Sequence, residues 1–258
     1  MQELLEKVIS LVKEVGLFQM KHFRSEKTGF GEEKLQKEFV SFVDIESEKL
    51  LKASLCSILP GSGFFGEETD AERKPTEWIV DPIDGTTNYL SGLPQFAISI
   101  ALYKNGQPEM GVVYQPATGD LFSSIRGQGL YHNNKPCRPN APLMDMQDAV
   151  IGTGFPYRSQ DLYAPFFQCI RELLPKCRGI RRMGSAALDL AYLAAGYLQA
   201  FWETDLQPYD YAAGLLFLQE SQMQYKIVND RLLIASFPSI FATFYKTLNL
   251  SYTQKDFL

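Results

Sequence analysis

Two aspartates three apart, Asp81 and Asp84, lie in the stretch WIVDPIDGTTNY (78–89), with Pro82 between them and Gly85, Thr86 and Thr87 directly after. An apolar run, Trp78-Ile79-Val80, reads as a strand. It should end at Asp81, because the residue before a proline is held extended and Pro82 has no N–H for a ladder. Asp84 then follows one tight turn later, with the Ile83 carbonyl free to turn inward. Gly85 permits close backbone approach, and the two threonines offer hydroxyls and free N–H groups that suit a phosphate. Two carboxylates, a carbonyl and a phosphate cradle form a hard-oxygen donor set, which suits Mg²⁺ rather than zinc. The bland alternative is a turn built from ordinary turn formers.

Two further stretches deliver carboxylates to strand ends. GFFGEETD (63–70) places Glu67 and Glu68 after a short apolar strand, and FWETDLQPYDYAAG (201–214) ends a strand at Glu203. In the latter, Pro208 opens a helix whose first turn carries Asp210. Each has a structural alternative: a solvated acidic loop for the first, an aspartate complementing the helix dipole for the second. Gly184-Ser185-Ala186 starts the alanine-rich run GSAALDLAYLAAG, and Asp44 sits in VSFVDIESE. Ser185 and Asp44 both read as N-caps, on which a function can be layered.

The rest of the composition leaves the chemistry to these acids. There are 258 residues, 25 basic and 30 acidic, for a net charge of −5, with no basic run. That disfavours direct nucleic-acid binding or an anionic membrane surface. With two histidines, His22 and His132, a His-rich zinc site or a Ser-His-Asp triad has little to draw on. The four cysteines show no C-x-x-C pair and read as reduced thiols. No apolar run is long enough to span a bilayer, and the first residues lack the pattern of a secretory signal, so a cytoplasmic protein is expected.

To position the acids, the chain offers an amphipathic helix over 2–24 and a second helix from about Asp44 to Leu59. Strand-like runs follow (GFFG, EWIVD, PQFAISIALY, EMGVVYQP, DLFSSI, QGLYHN), with Asn105-Gly106 and Thr118-Gly119-Asp120 as hairpin turns. From about residue 148 short strands alternate with helices, which predicts a mixed or parallel sheet with helical crossovers. The expected division is an N-terminal α+β half, 1–143, with most of the acids, and a C-terminal α/β half, 144–258.

In order and spacing, WIVDPIDGTTNY, WETDLQPYDYAAG, GEE at 66–68, GSAALDLAYLAAG and V-S-x-x-D at 40–44 resemble the bacterial branch of the inositol monophosphatase family. That family belongs to the lithium-sensitive, Mg²⁺-dependent phosphatases. The resemblance implies an α+β fold, a layered αβαβα sandwich with an antiparallel N-terminal sheet and a mixed C-terminal one. It implies two to three Mg²⁺ per site: one on Glu67, Asp81 and the Ile83 carbonyl, a second on Asp81, Asp84 and Asp210, and a third near Glu67 with Asp44 behind it. Gly85 and Thr86 would bind phosphate, while Gly184, Ser185, Ala186, Glu203 and Asp210 would contact inositol hydroxyls. Hydrolysis of inositol 1-phosphate would then proceed by in-line attack of cation-activated water, oriented and deprotonated by Glu67 and Thr86. A homodimer and inhibition by Li⁺ are further expectations. The alternatives are relatives acting on fructose 1,6-bisphosphate or 3′-phosphoadenosine 5′-phosphate, and a regulatory protein contacting the transcription machinery.

Three departures stand out. Tyr209 replaces the family's Trp, Glu220-Ser221-Gln222-Met223 replaces E-A-G-G, and the 24–38 loop has Glu38-Phe39 where an Asp is usual before Val40.

Overall fold

The computed structural model describes residues 1–25, 32–35, 38–69, 72–139 and 145–252. The expected boundary at 143/144 and most of the divergent 24–38 loop lie outside them.

Helix α1 (Gln2–His22) buries Leu5, Val8, Leu11, Val12 and Val15, one stripe at helical spacing. A small antiparallel pair, β1 (Glu32–Leu35) and β2 (Glu38–Val40), precedes α2 (Phe42–Ile58). The α2 N-cap is Ser41 rather than Asp44. Asp44 is instead the third helical residue and closes a capping box, accepting from the Ser41 N–H at 2.9 Å.

A seven-stranded sheet follows, in spatial order β3 (Gly63–Gly66), β4 (Thr76–Asp84), β5 (Ala97–Lys104), β6 (Gln107–Gln115), β7 (Asp120–Ile125), β8 (Leu130–His132) and β9 (Lys135–Cys137). Short helix α3 (Thr86–Leu90) sits between β4 and β5. The sheet is antiparallel except at one edge, where β3 runs parallel to β4. Asn105 and Gly106, with φ of 51° and 73°, make the β5–β6 hairpin turn that their types predict.

The remaining elements are β10 (Val150–Thr153), α4 (Tyr163–Leu173), β11 (Gly179–Arg181), α5 (Ala186–Ala195), β12 (Ala200–Thr204), α6 (Pro208–Glu220), β13 (Gln224–Val228), β14 (Leu232–Ser236) and α7 (Pro238–Tyr252). They form a five-stranded sheet in the order β11-β10-β12-β14-β13, parallel among the first three and antiparallel thereafter.

Side-chain alternation along the strands sorts these pieces into five layers. Trp78 and Val80 of β4 pack with Leu51 and Leu55 of α2 and the α1 stripe, whereas Ile79 joins the core of α5 and α6. On β12, Trp202 faces outward to Phe166 of α4 and Phe244 of α7, at ring-centroid distances of 5.9 and 6.1 Å. The order is α1/α2, seven-stranded sheet, α5/α6, five-stranded sheet, α4/α7, the expected αβαβα sandwich. The same parity decides where the acids go: Asp81 shares the Ile79 face of β4, and Glu203 the Phe201 face of β12. Both therefore point toward the shared middle helical layer.

That middle layer is tightly closed. A Cβ on Gly214 of α6 would lie 2.5–2.7 Å from Leu190 Cδ1 and Cβ of α5. Gln222, where the family has glycine, holds φ of 59° without one, and Glu220 accepts from the Gly127 and Gly129 N–H groups at 2.7 Å each, tying this turn to the larger sheet. We expect Gly214→Val to lower stability by about 1–3 kcal/mol through overpacking. Urea unfolding would measure it, and an unchanged midpoint would contradict the packing described.

Candidate active site

The parallel pairing of β3 with β4 is what brings the first acids together. Gly66 pairs with Val80, so the next residues along two parallel strands, Glu67 and Asp81, emerge side by side. Glu48 of α2, fully buried, braces that exit by accepting from the Glu68 N–H at 2.8 Å.

The strand β4 does not stop at Asp81. It continues to Asp84 through a bulge, with Asp81 opposite Ser99 and Asp84 opposite Ala97. Pro82 is tolerated there because the ladder is already broken. Its carbonyl accepts from the buried Gln19 amide of α1 at 2.7 Å, and the Ile83 N–H donates to Asp81 Oδ1 at 2.9 Å. The bulge re-aims Asp84 toward α5, where its Oδ2 accepts from the Ser185 hydroxyl at 2.6 Å and the Ala187 N–H at 2.7 Å. Asp210, in the first turn of α6 after Pro208, accepts from the Gln207 N–H at 2.6 Å. Its helix-capping role is therefore present alongside any function. Carboxylate oxygens of Asp81, Asp84 and Asp210 lie within 4.8 Å of one another.

A cavity of about 350 Å³ opens over this cluster. Of the residues picked from sequence, Glu67, Asp81, Ile83, Asp84, Gly85, Thr86, Gly184, Ala186, Glu203 and Asp210 line it. Ser185 and Asp44 lie one layer behind. Ser185 caps α5 and holds Asp84, and Asp44, fully buried, accepts from the Thr86 hydroxyl at 2.9 Å. The same hydroxyl lies 3.0 Å from the Ile83 carbonyl, so its single hydrogen is shared between two acceptors. Tyr209, in place of tryptophan, packs its ring edge-on against Phe65 at 5.9 Å.

The rim residues Phe155, Pro156, Tyr157, Arg158, Arg182, Asp205 and Leu206 were not picked out from sequence. Arg182 lies over the Phe155 and Tyr157 rings, 5.9 and 5.4 Å from their centroids. Asp205, at φ 60°, is anchored by Arg231 Nε at 2.9 Å. Gly154 leaves room for Glu203, since a Cβ there would fall 1.8 Å from Glu203 Oε1. Strand-end position alone could have flagged Gly154–Arg158, because they follow the end of β10 at Thr153, as Glu203 lies near the end of β12.

Electrostatics make the cluster expensive on its own. Burial, then the charges of Glu67, Asp84 and Asp210, hold the Asp81 carboxyl well above the usual range. Burial raises Asp84 to about 6 against the opposing hydrogen bonds from Ser185 and Ala187. Burial and the neighbouring Asp210 and Asp84 raise Glu203 to about 8. Crowded, dehydrated oxygen ligands of one sign are what a hard divalent cation requires and relieves, so the residues fit Mg²⁺.

Comparison with known proteins agrees with this geometry. The profile of the inositol monophosphatase family matches residues 1–222. The chain belongs to the inositol monophosphatase family. Membership makes it a phosphoric monoester hydrolase of a metal-dependent family. It is 44% identical to the inositol-1-monophosphatase of Mesorhizobium japonicum over 187 residues, 71% of this chain and 70% of the relative. It is 33% identical to the Nus factor SuhB of Escherichia coli K12 over 224 residues, 86% and 84% of the two chains. The solved IMPase of Thermotoga maritima superposes with a TM-score of 0.87 at 30% identity, covering 98% of each chain. No helix among the described residues is long and apolar enough to cross a membrane.

A pH consequence follows from the raised carboxyls. Acids whose folded pKa exceeds the unfolded value keep extra protons in the folded state, so stability falls as pH rises through that interval. We expect the metal-free protein to lose stability between about pH 4, the ordinary carboxylate range, and pH 8, the Glu203 value. Millimolar Mg²⁺ should flatten the profile. Asp81→Asn should raise metal-free stability at pH 8 and abolish the Mg²⁺ response. Thermal melting across pH checks all three, and a profile flat without metal would contradict the electrostatic reading.

Proposed function

We propose that the protein is a Mg²⁺-dependent phosphatase that converts inositol 1-phosphate, and related phosphate monoesters, to myo-inositol and phosphate. The observation that carries this reading is one cavity lined both by Glu67, Asp81, Asp84 and Asp210 and by Gly184, Ala186 and Glu203. The first group suits cations and a phosphate, and the second suits the hydroxyls of a polyol. The name of the Mesorhizobium japonicum relative supports the same substrate.

Glu67, Asp81, the Ile83 carbonyl, Asp84 and Asp210 would hold two to three Mg²⁺. Bound there, Mg²⁺ would lower the pKa of water and neutralise charge on the departing alkoxide, which an inert phosphate monoester needs. The protein's own groups do the rest. Gly85 and Thr86 hold the phosphoryl oxygens. Thr86, its hydroxyl hydrogen committed to Asp44 or the Ile83 carbonyl, presents lone pairs that orient the attacking water, and the Glu67 carboxylate takes the water's proton. The backbone around Gly184–Ala186 and the Glu203 carboxylate fix the polyol so that its ester oxygen lies in line with the attack. Neither histidine lines the cavity.

The E. coli relative's name, a Nus factor, supports a second reading alongside the first. A regulatory role for this acidic chain would run through protein contacts with the transcription machinery, on a homodimer, and would coexist with hydrolysis because the metal-ligand set is complete.

The test is phosphate release with Mg²⁺ from inositol 1-phosphate, glycerol 2-phosphate, fructose 1,6-bisphosphate and 3′-phosphoadenosine 5′-phosphate, with and without Li⁺. We expect the highest kcat/KM on inositol 1-phosphate, inhibition by Li⁺, and loss of at least about 10²-fold in Glu67→Gln and Asp84→Asn. Near-full activity in Glu67→Gln would remove the proposed base. Turnover best on another ester would keep the site and reassign the substrate.

A further inference from the structure

The two sides of the cavity come from segments about a hundred residues apart in sequence: 81–86, for cations and phosphate, and 184–186, for the polyol. Something must fix the distance between them, because an ester held at both ends reacts only if both ends are in register. Among the described residues, side-chain hydrogen bonds cross the gap at two places. One is the Asp84 carboxylate itself, held by Ser185 and the Ala187 N–H. The other is Asn88, a residue to which the mechanism above gives no part.

Asn88 lies on α3, only 6% exposed, two residues beyond Thr86. Its side-chain amide nitrogen reaches three backbone carbonyls: Gln95 at 2.7 Å, Met183 at 2.8 Å and Gly184 at 3.3 Å. Its main-chain carbonyl accepts from the Leu93 N–H at 2.8 Å. An NH₂ group has two hydrogens for these three acceptors, so the carbonyls converge on it as on a small cation. Gln95, in turn, is held by the buried Gln115, whose amide donates to the Pro94 carbonyl at 2.8 Å and to Gln95 Oε1 at 2.9 Å. Gln115 is braced from α5 by the Tyr192 hydroxyl at 2.9 Å. The 88–95 turn thus stands as a rigid wedge between the phosphate segment and the polyol segment.

The crossing leaves no slack. Gly85 has φ of 98°, and a Cβ on it would lie 2.9 Å from the Gln95 carbonyl oxygen and 2.9 Å from that of Gly184. A Cβ on Gly184 would in turn meet the Asn88 amide nitrogen at 2.9 Å. The Gly184 carbonyl therefore lies against Gly85 of the phosphate segment, and Asn88 holds it there.

We propose that Asn88 is a positioning residue that sets the spacing between the phosphate side and the polyol side of the active site, by donating to the Met183 and Gly184 carbonyls. This rests on the functional reading above for what occupies each side, but not on inositol being the alcohol. Small misplacements of a reacting group cost large factors in rate. The clamp therefore contributes to the hydrolysis of esters that span both sides and contributes nothing to the binding of inorganic phosphate alone.

The experiment compares Asn88→Ala and Asn88→Asp with the unaltered protein, in Mg²⁺, on two readouts. The first is kcat/KM for whichever of inositol 1-phosphate, glycerol 2-phosphate and fructose 1,6-bisphosphate the unaltered protein hydrolyses fastest. Failure of the inositol reading therefore leaves this test standing. The second is the inhibition constant of inorganic phosphate, which touches one side only. We expect Asn88→Ala to lower kcat/KM about 10–100-fold while the phosphate inhibition constant stays within about twofold. Asn88→Asp is isosteric but turns a carboxylate oxygen toward three carbonyls, and it should be the more damaging of the two. If Asn88→Asp does not fold, Gln95→Ala, which removes the other side chain of the wedge, should show the same split at smaller size. Parallel loss of ester turnover and phosphate affinity would overturn the proposal, as would unchanged turnover in Asn88→Ala. Near-unaltered turnover in Asn88→Asp beside a loss in Asn88→Ala would show that bulk, not donation, is what matters at this position, and would overturn it too.

Discussion

Mutual repulsion among buried carboxylates is the constraint on which the rest of this structure depends. Asp81, Asp84 and Asp210 converge within 4.8 Å, with Glu67 and Glu203 lining the same cavity. Crowded charges of one sign, taken out of water, are among the costliest arrangements a fold can hold. The structure carries that cost on its most rigid parts. Asp81 sits on a strand paired on both sides, with Ser99 opposite, Asp84 is fixed by two donors from α5, and Asp210 is capped into a helix start. Rigid backbone prevents the acids from relaxing apart, and a cation site needs that resistance.

Geometry explains why two sheets are required. A single sheet directs alternate side chains to opposite faces, so its acids on one face can line only a flat patch. Two sheets closing on a shared helical layer allow Asp81 from one and Glu203 from the other to face the same volume, with Asp210 and Ser185 supplied by the helices between. The parallel β3–β4 pair adds Glu67 at the level of Asp81, which an antiparallel neighbour could not do from the same chain end. The bulge at Pro82 then separates the directions of Asp81 and Asp84. The site is a consequence of strand polarity and parity before it is a consequence of residue identity.

Much of this was legible in the sequence because the relevant signals are local. The strand runs, the Asn105-Gly106 hairpin, the Ser185 cap and Pro208 at a helix start each follow from a few neighbouring residues, and the family resemblance placed the acids in one site. What escaped were relations between distant segments. Pro82 argued for a strand end, yet Gln19, 63 residues away, satisfies the displaced carbonyl and lets β4 continue to Asp84. Asp44 looked like a cap but closes its capping box from the third helical position, and its other oxygen faces Thr86, 42 residues on. Gly154, Glu48 and Asn88 carry no chemical signature in sequence, since an excluded Cβ, a brace and an amide donor become visible only when their partners are placed. Gln222 shows the converse: the family's glycine was missing, and the turn forms with a non-glycine at φ 59°.

The central claim is that these carboxylates are a divalent-cation site rather than a cluster that merely survives burial. The most direct measurement is a crystal structure of the protein grown with Mn²⁺ as a Mg²⁺ substitute, with anomalous scattering recorded at the manganese edge. The account predicts at least two anomalous peaks, one shared by Asp81, Asp84 and Asp210 and one at Glu67 and Asp81. An ordered, folded protein with no anomalous peak among these four carboxylates at millimolar Mn²⁺ would contradict it.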